Sequence, residues 1–211
     1  MIILKVSSLV VGFIFGILLC NLMWEDAEMK YSPSKNKIVS YYVISGLFMG
    51  CAFICASHYV DIFLYIESLA ILGGLVFLAV YAIQDMLQMA VYAFLLNVGS
   101  IGIVMLRIMV YVCEGEFVEM FSFLVLSGTV YVGLKIITRI FPNSIGCGDY
   151  DILFVIYALC GNQGMVQVLF ASSCIGLLIY VPMLLLKRVK KSEKIPLAPI
   201  LYLGTLAYLW L

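Results

Sequence analysis

The stretch IFLYIESLAILGGLVFLAVYAIQ, residues 62–84, decides how the rest of the chain is read. Interrupted only by Glu67 and closed by Asp85, it matches the roughly 20 apolar residues a helix needs to cross a bilayer. It shows no sustained period-two alternation, which excludes a strand. Seven further apolar runs flank it, at 6–24, 39–57, 90–112, 117–138, 150–161, 165–187 and 195–211. The expected fold is an all-α integral membrane protein of about eight transmembrane helices, built as one polytopic domain over residues 1–211. The sixth run is too short to span alone at about 1.5 Å per residue. It begins in the membrane margin, and Gly161-Asn162-Gln163-Gly164 turns it into the seventh. The first run follows Lys5, but Ile17-Leu18-Leu19 before Cys20 lacks the small residues of a cleavage site, so it reads as a retained helix.

Composition agrees. Of 211 residues, 65% are hydrophobic and 11% charged, against roughly 45–50% and about 25% in soluble domains. A soluble enzyme, a nucleic-acid binder and a disordered tail are excluded. The seven cysteines contain no CxxC pair, and most lie in or beside apolar runs as small hydrophobes. His58, the one histidine, falls in a short polar turn. No disulfide framework, metal site or cofactor is expected. Net charge is zero, so orientation rests on where the cations fall. With both termini outside, Lys30, Lys35, Lys37, Lys135, Arg139, Lys187, Arg188, Lys190, Lys191 and Lys194 lie inside, ten of the twelve basic residues. Only Lys5 and Arg107 lie outside, and the positive-inside rule selects this arrangement.

Three carboxylates fall at helix ends inside the membrane margin. Asp85 ends the third run, and Asp149 and Asp151 open the sixth. Intramembrane acids are costly and default to a functional reading. The topology puts Asp85 and Asp149 on the same side at similar depth. Asp149 arrives in Gly146-Cys147-Gly148-Asp149, where two glycines permit a tight turn and close approach of a substrate backbone. Two carboxylates brought together share one proton, so one activates water while the other polarises an amide carbonyl. Asp151 lies about 200° further round a helix, facing away from Asp149. A solvated helix cap is the plainer reading of each acid alone.

Four signals in order resemble the type IV prepilin peptidase family, polytopic GxGD aspartyl proteases of the bacterial cytoplasmic membrane. They are the first-helix run Gly12-Phe13-Ile14-Phe15-Gly16, Asp85 after the third run, the GxGD of Gly146 to Asp149, and Ile195-Pro196-Leu197-Ala198-Pro199-Ile200-Leu201. The resemblance implies cleavage of a prepilin or pseudopilin leader at the cytoplasmic face, with Asp85 and Asp149 catalytic and Gly146 and Gly148 supporting the motif. Membrane lipids and a substrate helix are the partners it implies. Many members carry a large cytoplasmic domain with CxxC motifs after the first helix. Here residues 25–38 form only a short loop without cysteine, so N-methyltransferase activity is not expected. The chain also departs beside each acid. Met86-Leu87-Gln88-Met89-Ala90-Val91 lacks the usual proline, and Asp151 replaces a common lysine.

Two other classes stay open at this point: a non-catalytic scaffold of a pilus or secretion system, and a proton-coupled transporter, which also uses paired intramembrane acids. Of the remaining features, Gly73-Gly74, Gly99, Gly102 and Gly128 are expected to allow close helix packing. Pro182 is expected to kink the seventh run. Tyr150 and Gln88 flank the acids and are candidates for orienting them.

Overall fold

The computed structural model describes residues 2–28, 35–59, 65–88, 91–140, 147–186 and 196–210. Among them the chain is helical with no strand: α1 Ile2–Glu28, α2 Lys35–Tyr59, α3 Tyr65–Gln88, α4 Ala93–Glu114, α5 Phe117–Ile140, α6 Cys147–Leu185 and α7 Ala198–Trp210. The first six are long and apolar enough to cross a membrane, and α7 is shorter. The chain is thus an all-helical protein with the spans of a multi-pass membrane protein.

The sixth and seventh runs join as one helix with a sharp break at Gly161, whose backbone lies at φ 71°, ψ −175°. That region is essentially reserved for glycine. The break divides α6 into a proximal arm (147–160) and a distal arm (162–185), as the GNQG run predicts. It also strips the preceding carbonyls of their helical donors, which is costly where no water can replace them. Arg107 on α4 makes up the loss: its Nε donates to the Ala158 carbonyl at 3.2 Å, and Nη2 donates to the Leu159 carbonyl. Gly161 is the position where α6 departs from helical dihedrals, and Pro182 lies within the distal arm.

Helix α3 forms the axis of the bundle and packs against α1, α2, α4, α6 and α7. Its small residues make this possible. A Cβ on Gly74 would stand 2.8 Å from Leu159 and 3.0 Å from Ile103, and one on Gly73 would stand 2.6 Å from Leu106. Gly99 and Gly102 of α4 receive the Tyr81 and Phe77 rings of α3. Gly128 does not share this role: nothing lies within 4 Å of its position, because α5 packs at the periphery with apolar side chains facing outward. Helices α1 and α2 meet glycine to backbone, with a Gly12 Cβ falling 2.6 Å from the Met49 carbonyl oxygen. One further correction concerns His58. Its backbone belongs to the last turn of α2, not to a polar turn, because the helix outruns the apolar segment that predicted it.

Candidate catalytic site at one end of the bundle

The last turn of α3, the first turns of α4 and α6 and the start of α7 converge at one end. Tyr81, one turn before Asp85, donates its hydroxyl to the Leu95 carbonyl at 2.9 Å, tying α3 to the opening of α4. Gln84 accepts the Tyr92 N–H at 3.2 Å. On α6, Gly148 packs close to α4, where a Cβ would meet Leu96 at 3.2 Å. These contacts set Asp85 and Asp149 on neighbouring helices at the same end, as the charge-derived topology expects.

Asp85 is buried and points at α7. Its Oδ2 accepts the Ala198 N–H at 3.0 Å, with the Leu197 amide beside it. The first N–H groups of a helix lack partners within the helix and suit an anionic acceptor. The run Pro196-Leu197-Ala198-Pro199 explains the geometry: Pro199 lies in the first turn of α7, where its missing N–H costs nothing, and Pro196 and Leu197 lie just outside the helix. Pairing Asp85 with that backbone was not anticipated, although the proline spacing marked where α7 would begin. Gln84 was also missed. It is buried, and its Nε2 has no hydrogen-bond partner among the described residues.

Asp149 stands half-buried in the first turn of α6. Gly146 lies outside the described residues. Gly148 is already helical, so it provides close packing, not the tight turn that GxGD suggested; among the described residues only Gly115 and Gly161 have positive φ. Tyr150 is buried, and the Gln88 side chain lies outside the described residues.

Asp151 is engaged elsewhere. It is buried, and Lys135 Nζ of α5 donates to its Oδ1 at 2.7 Å. The same ammonium lies 5.2 Å from the Tyr131 ring centre. A simple register would have found this pair. Helices α5 and α6 form a hairpin around residues 141–146, and 135 and 151 lie almost equally far from its middle. Lys135 had been read only as a topology signal.

Fold and composition together define the class, an all-helical multi-pass membrane protein with an acid-bearing end. No family model, curated protein or solved structure matches the chain.

Proposed function

We propose that this chain is a membrane-embedded aspartyl endopeptidase that removes the leader of prepilin-like proteins at the cytoplasmic face of a bacterial inner membrane, without N-methyltransferase activity. All eight helical arms are membrane segments in this reading, and both termini lie on the outer side. One observation carries it: two acids, Asp85 and Asp149, sit at one end of the bundle on adjacent helices.

The chemistry follows from two carboxyl groups sharing one proton. The ionised member takes a proton from water, whose oxygen bonds to the scissile carbonyl carbon. The protonated member gives its proton to the carbonyl oxygen. When the tetrahedral diol collapses, the C–N bond breaks and the leaving nitrogen takes the proton held by the first acid. A diol hydroxyl returns its proton to the second, so both acids recover their starting states. The α7 amides that hold Asp85 keep it oriented until substrate enters.

The test is cleavage of a co-expressed prepilin by wild type, Asp85→Asn, Asp149→Asn and Asp151→Asn, read as loss of the leader by gel and by mass. Wild type and Asp151→Asn are expected to cut. Each dyad variant should lose at least about a hundredfold, the lower bound for an acid–base group. Full activity in either dyad variant would remove the mechanism, and a wild type that cuts no prepilin would favour a scaffold or a proton-coupled transporter.

A further inference from the structure

At the end of the bundle opposite Asp85, the break in α6 opens a cavity of about 910 Å³ between the distal arm of α6 and helices α3, α4 and α7. That volume falls in the range of small-molecule and cofactor pockets. Its walls are graded. Glu67 in the first turn of α3, Arg107 and Gln167 form the polar part, while Ile71, Phe170 and Ala171 line the apolar part. Along α6 the apolar wall lies deeper than Gln167, toward the middle of the span, and Phe170 is largely exposed on the outer surface, so the cavity opens sideways.

The polar part has unused capacity. Arg107 spends two donors on the carbonyls of the α6 break. Its Nη1 lies 3.8 Å from Glu67 Oε1, an ion pair too long to be a hydrogen bond. Both side chains are about four-fifths buried. The Glu67 carboxylate makes no side-chain hydrogen bond among the described residues, and the Gln167 amide is exposed at the rim. Capping the helix break accounts for an arginine here, but not for a loosely held, largely buried carboxylate beside it on the wall of an open cavity. Polar groups in the wall of a membrane protein are expensive unless something completes them.

We propose that this cavity is a binding site for a zwitterionic phospholipid of the phosphatidylethanolamine type, in the leaflet opposite the candidate catalytic end. The headgroup phosphate accepts from Arg107 and Gln167, and its ammonium pairs with Glu67. An acyl chain follows the apolar wall past Phe170 and Ala171. A cation and an anion side by side match a headgroup that carries both charges. An anionic lipid would place its phosphate on Arg107 but leave Glu67 without a cation. The inference does not depend on peptidase activity.

The experiment is native mass spectrometry of protein released from nanodiscs of equal phosphatidylethanolamine and phosphatidylglycerol, with alkylation of Cys174 as a second readout. Cys174 lines the cavity, whereas Cys113 is exposed at the end of α4 and serves as control. Wild type should retain phosphatidylethanolamine over phosphatidylglycerol by roughly fivefold, the discrimination one partly exposed charge contact supplies. Glu67→Gln should abolish or reverse that preference, and Ala171→Trp, which fills the apolar part, should lose the retained lipid. Phosphatidylethanolamine should protect Cys174 and leave Cys113 unprotected, which needs no variant to fold. Retained lipid that merely mirrors the bilayer, with Cys174 unprotected, overturns the site. Displacement of the retained lipid by inorganic phosphate alone would assign the polar end to a free phosphate and overturn the lipid.

Discussion

Replacing Lys135 with methionine keeps the length and apolar stem of the side chain but removes the cation from Asp151. The Asp151 side chain is 11% exposed and that of Lys135 is 41% exposed, so the two substitutions that break this pair are not equivalent. Removing one partner of a fully buried pair costs about 3–5 kcal/mol, because a buried charge is left uncompensated. The exposure of Lys135 brings the figure down toward the roughly 1 kcal/mol of surface pairs. About 2 kcal/mol is therefore expected for Lys135→Met. Asp151→Asn leaves a cation that already reaches solvent and the Tyr131 face, and should cost about 1 kcal/mol or less. Lys135→Met combined with Asp151→Asn should recover at least half of the loss, giving a coupling of about 2 kcal/mol in the double-mutant cycle. Equilibrium unfolding in mixed detergent and dodecyl sulfate micelles, followed by circular dichroism, measures all four proteins. Cleavage assays on the same set should show Lys135→Met impaired and the double variant restored. If Asp151→Asn proves as destabilising as Lys135→Met, or the two effects simply add, the pair does not anchor the start of α6.

Three further outcomes follow from backbone geometry. Gly12→Leu should separate α1 from α2, since the new Cβ alone would fall 2.6 Å from a backbone oxygen that cannot rotate away, and cysteine crosslinking between the helices would measure the loss. Gly128→Ala meets open space, so it should be neutral or stabilising by up to about 1 kcal/mol through helix propensity, read by the same unfolding assay. Gly161→Ala should cost about 1–3 kcal/mol, because alanine is strained at that φ and ψ, and should shift Cys160 alkylation as the α6 break rearranges.

The helices were legible because run length in a membrane protein is set by the bilayer, and polar punctuation marks where each run ends. The α6 break was legible for a local reason, a glycine-rich polar tetrapeptide inside apolar sequence. What stayed hidden depends on how helices face one another. Gly74 and Gly128 look alike in sequence, yet one sits on the bundle axis and the other on a peripheral helix. The two acids could be assigned to one end by charge bias. Their partners could not: Asp85 meets a backbone amide 113 residues away, and a backbone donor leaves no signature in residue type beyond the prolines around it. Arg107 shows the same limit. Its place among the cations says nothing of its partners, the carbonyls exposed at a break in another helix.

The hydrogen bond from the Ala198 amide to Asp85 joins the last turn of α3 to the first turn of α7. An ionised carboxylate is the stronger acceptor for such an amide, and a protonated one holds it less firmly. The seam between the two helices would therefore loosen when Asp85 takes up a proton, so the charge state of one side chain governs how tightly this end of the bundle is drawn together.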